Sequence, residues 1–149
     1  MRLATTIFWD TNVLIDFLMC RPGYEYAKTI FQMGADGSVT NCISVLTVAN
    51  TAYLFRKKVG NDSLEPALKD LIQNFKVLPM GEDTVNSAFS IRGTDYEDKL
   101  QMACAGACRC SYIVTDNIRH FSGTRVPTYT PEDFLNHLRM QEIADTSGE

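Results

Sequence analysis

Two short apolar runs, a hundred residues apart, each stop at an aspartate. The first, Thr5-Thr6-Ile7-Phe8-Trp9, is β-branched and aromatic, reaches Asp10, and passes at once into helical spacing. The second, Tyr112-Ile113-Val114-Thr115, reaches Asp116 and then Asn117. Runs of this kind read as buried strands, each delivering a carboxylate to its carboxyl end. In an open parallel α/β sheet such ends share one rim, and ligands and chemistry collect outside that rim. Asp10 has a simpler reading as well. It could cap the helix that follows by accepting an N–H of the first turn.

The segments between these runs alternate in period. Asn12 to Met19 is dense in apolar residues and stops at Arg21-Pro22-Gly23, which predicts a short buried helix. A second helix is expected over Tyr24 to Met33, with Gly34 as its stop. Ser38 to Ile43 reads as a strand. Ser44 is a natural N-cap for a helix over Val45 to Lys58, whose closing Arg56-Lys57-Lys58 complements the helix dipole. Asn61 to Ser63 caps a helix over Leu64 to Asn74 with Pro66 in its first turn, and Phe75 to Leu78 is a short strand. A helix follows from Gly81-Glu82-Asp83, closed by Gly93.

Thr94-Asp95-Tyr96-Glu97 carries the Thr-x-x-Glu capping box, so a helix is expected from there to about Cys110. That box occupies Glu97. Asp95 and Asp98 lie three residues apart on one face of the first turn. Thr128-Tyr129 reads as an edge strand, and Thr130-Pro131-Glu132-Asp133 opens a last helix through Leu138. The pattern is α/β with a short, mainly parallel sheet of about five strands. Residues 1–140 are expected to form one domain, and 141–149 a polar tail that frays.

At 149 residues and 45% hydrophobic content the chain can bury one sizeable core. No apolar run approaches the ~20 residues of a membrane span, and the start lacks a secretory pattern, so a cytoplasmic protein is expected. The five cysteines, Cys20, Cys42, Cys104, Cys108 and Cys110, show no disulfide framework and no paired zinc spacing. Reduced thiols are expected, and the crowded Cys104, Cys108 and Cys110 read as small buried packing residues at a helix end. The net charge of −4 comes from 18 acids against 14 Lys and Arg, and it argues against a generic basic nucleic-acid-binding surface. Gathering Asp10, Asp95, Asp98 and Asp116 into one site would leave the remaining charge balanced.

Four carboxylates from three segments then need compensation, because acids within ~5 Å of one another raise each other's pKa. A divalent cation compensates them, and oxygen-only ligation favours Mg²⁺ or Mn²⁺ over zinc. Histidine is a poor alternative. His120 falls in a loop, and His137 falls on what reads as the solvated face of the last helix.

Asp-Thr-Asn-Val-Leu-Ile-Asp from Asp10, Ser-x-x-Thr-x-Ala-Asn from Ser44, Asp-Tyr-Glu-Asp-Lys-Leu-Gln from Asp95 and Ile-Val-Thr-Asp-Asn-Ile-Arg-His-Phe from Ile113 together resemble the PIN-domain proteins. The resemblance is to the bacterial branch with the motif Asp-Phe/Tyr-Glu-Asp-x-x-Gln, and it covers roughly residues 3 to 138. It implies a three-layer α/β/α fold and a metal-dependent endoribonuclease of the kind found in VapC-type toxins. Such toxins dimerise and are held inactive by a small antitoxin. Carried over by position, the resemblance makes Asp10 and Asp98 the metal-binding acids and Asp95 part of this branch's own motif, while Asp116, one residue before the position of the family's last acid, is a further candidate catalytic acid. Thr11, Asn12, Asn50, Thr115 and Asn117 would surround and support them.

Two positions depart from the wider family, where acids stand in place of Asn50 and Asn117. An amide ligates through its carbonyl oxygen but brings no charge. Asn50 is expected to donate its amide to Asp10 or to a water in the site. The competing reading is a domain that keeps the fold, has lost cleavage, and binds RNA or a protein. An Asp-nucleophile phosphotransferase of the haloacid dehalogenase type also opens on a strand that ends at Asp, but it needs an acid where Asn12 stands.

Overall fold

The computed structural model describes residues 4–148. Five strands form one parallel sheet: β1 (Thr6–Trp9), β2 (Thr40–Ser44), β3 (Lys76–Leu78), β4 (Tyr112–Val114) and β5 (Thr128–Tyr129). Their spatial order is β3-β2-β1-β4-β5, with every pairing parallel. β1 is therefore central. The chain leaves it toward β2 on one side and later returns to β4 on the other, so a crevice opens beyond the carboxyl ends of β1 and β4.

Alternation along the strands builds two cores. Ile7 and Trp9 of β1, Ile43 of β2 and Val114 of β4 face one side, where they pack with Val13, Leu14, Ala27, Ile30, Phe75 and Phe134. The helices of that layer are α1 (Thr11–Leu18), α2 (Tyr24–Ala35) and α7 (Pro131–Ser147). Phe8, Cys42 and Ile113 face the other side, packing with Met102, Cys104, Ala105 and Cys110. That layer is α6 (Tyr96–Ala107), backed by α5 (Glu82–Phe89). Two further helices, α3 (Val45–Val59) and α4 (Asn61–Ile72), pair with each other beside β2. The result is the expected three-layer α/β/α architecture. Cys42, Cys104 and Cys110 are buried among the apolar residues of the second layer.

Local details depart from the sequence reading where distant residues intervene. Gly34 does not end α2 but lies inside it, and the helix continues to Ala35. A Cβ at Gly34 would collide with the side chain of Asn41, which is buried in β2. That amide donates to Ile30 O at 3.0 Å and accepts from Trp9 Nε1 at 3.0 Å, so it cannot swing aside without orphaning both partners. The glycine is there to admit a cross-layer amide. α4 starts at Asn61, which places Pro66 in its second turn rather than its first. α7 continues to Ser147, past Gln141, and His137 is not on a solvated face. Its ring stacks on Tyr129 at 4.8 Å and meets Tyr112 edge-on at 5.7 Å, because both tyrosines come up from the sheet beneath α7. Among the described residues no helix is long and apolar enough to cross a membrane.

Gly34→Ala separates helix propensity from packing. Propensity favours alanine by about 1 kcal/mol at a helical position, whereas overpacking against a fixed buried side chain costs about 1–3 kcal/mol. Urea denaturation should show the variant less stable than the wild type. A stabilised variant would mean that Asn41 yields.

Candidate active site

Asp10 is placed by β1 and β4 together. Its N–H donates to Val114 O at 3.0 Å, which continues the β1–β4 pairing one residue past the strand. Its backbone carbonyl accepts from Val13 N and Leu14 N and so starts α1, yet its side chain makes no cap. The carboxylate turns instead to Thr115, whose Oγ1 donates to Asp10 Oδ2 at 2.8 Å. Thr115 Oγ1 is itself oriented by accepting from Asn117 N at 3.0 Å. Thus Thr115 and Asn117 fix one oxygen of Asp10.

The helix α6 brings the second acid. Asp95, not Thr94, is its N-cap, with Oδ1 accepting from Asp98 N at 3.1 Å. The capping box read from Thr94 and Glu97 therefore does not form. Glu97 is released from it and accepts from Asn50 Nδ2 of α3 at 2.7 Å. Asn50 thus serves Glu97, not Asp10. Asp98 is half-buried and lies 2.9 Å from Nδ1 of His120, which stands in a 3-10 turn over Ile118–Phe121.

Asp10, Asp98, Glu97 and Asn50 share one cleft of about 220 Å³, lined also by Thr11, Asn12, Tyr53 and Leu54. Asp116 stands elsewhere. It lines the groove between α1, α2 and the start of α7 and sits beside Asp16, whose carboxyl adds to burial in holding Asp116 above the usual carboxylate range. Asp95 stays at the edge of the site through its cap, and its charge reaches Asp98. Of the four acids singled out in the sequence, the cleft joins Asp10 and Asp98 and adds Glu97.

Three residues of the site escape the sequence reading. Glu97 is masked by an overlapping capping pattern, and His120 approaches Asp98 only through the 3-10 turn. The third is Gln101, three residues after Asp98 on the same helical face. It is 1% exposed, and its Nε2 donates to Thr11 Oγ1 at 3.1 Å and Thr47 Oγ1 at 2.9 Å while Oε1 accepts from Ser44 Oγ at 2.7 Å. The i, i+3 spacing from Asp98 is the signal that could have found it.

The electrostatics follow from burial and crowding. Burial pushes Asp10 up to about 6, and the charges of Asp98 and Glu97 push the same way, against the Thr115 hydroxyl, which pulls it down. Burial also raises Asp98, helped by Asp95 and opposed by His120. A cation among these oxygens would reverse that balance. Asp10 and Asp98 could hold one, with Glu97 near, though among the described residues no three His, Cys, Asp or Glu side chains already converge as a ligand set.

A carboxyl whose pKa is higher in the fold than in the unfolded chain stabilises the fold below its ordinary value, and that contribution is lost as pH rises through the folded value. For Asp10 the window is from about 4 to about 6, and at 1.36 kcal/mol per pH unit it is worth roughly 2–3 kcal/mol. In chelator, Asp10→Asn should match the wild type near pH 4 and exceed it by about that amount at pH 7.5, since an amide oxygen can still accept from Thr115. Denaturation at both pH values checks this. An equal gap at both would remove the charge of Asp10 as its cause.

A family model described as PIN domain matches residues 6–119. No curated protein matches the chain. The fold is similar to a VapBC pair from nontypeable Haemophilus influenzae, with TM-score 0.69 and 17% identity over 86% of this chain and 99% of that one. A toxin–antitoxin complex from Klebsiella pneumoniae gives TM-score 0.64 and 23% identity over 84% and 97%. The sarcin–ricin-loop-cleaving toxin of Mycobacterium tuberculosis gives 0.57 and 15% over 81% and 98%. With the parallel sheet, the aspartate at the end of its central strand and a model match over most of its length, this chain belongs to the PIN-domain family.

Proposed function

We propose that the chain is a Mg²⁺- or Mn²⁺-dependent endoribonuclease and the toxin of a toxin–antitoxin pair, acting in the cytoplasm. The observation that carries this reading is that Asp10 and Asp98 face one cleft between the starts of α1 and α6 and the open side of α3, each fixed by a neighbour. Membership of the PIN family supports a nuclease. The similar folds from Haemophilus influenzae and Klebsiella pneumoniae are described with their antitoxins, and the one from Mycobacterium tuberculosis cleaves the sarcin–ricin loop. A small antitoxin and a second copy of the chain are accordingly its proposed protein partners.

The donor chemistry fits a hard divalent cation. Asp10 and Asp98 are oxygen donors in a partly buried cleft, and both are raised above the usual carboxylate range, first by burial and then by the charges of neighbouring acids. Held by these two acids, such an ion would supply an electrophile for the phosphate and make water a stronger nucleophile. The chain does the rest. Thr115 and Asn117 keep Asp10 aimed outward, His120 holds Asp98, and Asn50 holds Glu97 at the mouth, where its carboxylate can take a proton from an attacking water. Asp95 acts through the helix start, positioning Asp98. Asn12 lines the same cleft and offers an amide to the phosphate or its ribose.

One observation keeps a second reading in play. Asn50 and Asn117 stand where the wider family has acids, so the cleft has fewer anions for a metal, as in a domain that binds RNA without cutting it. Cleavage decides. Asp10→Ala and Asp98→Ala should each lower Mn²⁺-dependent cleavage of single-stranded RNA by at least about a hundredfold while keeping the wild-type circular dichroism. Cleavage by either variant at the wild-type rate would place the site elsewhere. A wild type that binds RNA and never cuts it would favour the second reading.

A further inference from the structure

Tyr53 is 55% exposed on the wall of the acid cleft, although it lies on a helix that buries other residues. Its neighbours on α3 are cationic. Arg56, three residues on, places Cζ 5.3 Å from the ring centroid, and Lys57, four residues on, places Nζ at 5.1 Å. Helical spacing puts all three on one face with Asn50. Neither cation pairs with an acid, since among the described residues the only ion pairs are Arg21–Asp16 and His120–Asp98. In a chain of net charge −4, a cleft of acids thus carries at its rim an exposed aromatic ring and two unpaired cations.

We propose that Tyr53 is the stacking platform for an unpaired nucleobase next to the acid cleft, with Arg56 and Lys57 holding phosphates of the same strand. The proposal rests on the ribonuclease reading and names how that site takes its substrate. Stacking on an aromatic side chain beside a basic track is the general means of gripping a single strand, and it tolerates any base because every base has a π-face. An exposed cation–π contact is weak, so a base can displace the cations from the ring onto its own flanking phosphates. A duplex cannot use the platform, because its bases are already stacked on one another. The substrate class is therefore a single-stranded loop or segment. The acids lie beside the ring, so the phosphate next to the stacked base is the one presented to Asp10 and Asp98.

The test uses the full-length chain in chelator, so that binding is read without cleavage, and a short single-stranded RNA carrying 2-aminopurine. Wild type and Tyr53→Phe should quench the probe and bind alike. Tyr53→Ala should leave it unquenched and bind roughly tenfold or more weakly, with an unchanged melting temperature because the ring is exposed. Arg56→Ala with Lys57→Ala should keep the quenching and make the slope of log K against log salt shallower by about 0.7 for each phosphate no longer neutralised. Wild-type affinity and quenching in Tyr53→Ala would overturn the platform, and if the wild type still cleaves RNA with Mn²⁺ the nuclease reading survives that result. A wild type that neither binds nor cleaves single-stranded RNA would sink both.

Discussion

The side-chain amide of Gln101 holds the site's three helices in register. It has two donors and one acceptor oxygen in a place sealed from water, and each reaches a hydroxyl: Thr11 of α1, Thr47 of α3, and Ser44 at the junction of β2 and α3. Thr11 and Thr47 also bond each other at 2.8 Å, and Thr47 N donates to Ser44 Oγ. Buried polar groups are costly when half satisfied and rigidifying when fully satisfied. This network is of the second kind. Asp10 immediately precedes Thr11, and Asp98 lies three residues before Gln101, so the geometry that satisfies the amide also sets the separation of the two acids.

The acids themselves oppose folding. Asp10 is nearly inaccessible, and its charged form has only the Thr115 hydroxyl and the Thr11 backbone N–H to replace the water it has lost, with two more carboxylates nearby. An apolar or amide side chain at that position would be the more stable choice. The surrounding structure tolerates the acid because two strands and the Gln101 network over-determine its position. Local instability held in place by rigid surroundings is the usual mark of a functional group.

How much of this was legible depends on the range of the interaction that decides each feature. The sheet was legible because strand period, turn residues and Ser44 and Thr130 as caps are local signals, and both caps form as read. Asp10 at a strand end followed from the same signals. The start of α6 did not, because Thr94-x-x-Glu97 and Asp95-x-x-Asp98 are overlapping capping patterns one residue out of step. Local propensity cannot separate them, and the bond from Asn50 across to Glu97 belongs to the structure in which Asp95 wins. Gly34 misled for the same reason: a glycine near a helix end reads as a stop, and only Asn41, on a strand not yet formed, explains it as a space. Asp116 ends its strand as expected, but one residue past the position opposite Asp10, so it turns toward Asp16 and away from the cleft.

The buried and open sides of α3 are fixed together. Ser44, Thr47 and Thr51 recur at helical spacing and are all buried, and the first two reach the Gln101 amide. Thr51 Oγ1, one turn further, has no hydrogen-bond partner among the described residues, which marks where the network ends. Asn50, Tyr53 and Lys57 recur at the same spacing on the open side, and Asn50 and Tyr53 line the cleft. A helix cannot rotate one stripe without rotating the other. The hydroxyls fastened to Gln101 therefore fix the rotation of α3, and with it the placement of Asn50 against Glu97 and of the Tyr53 ring beside Asp10. The inner network explains why an exposed ring with no core to pack against still holds a defined place at the edge of the acids.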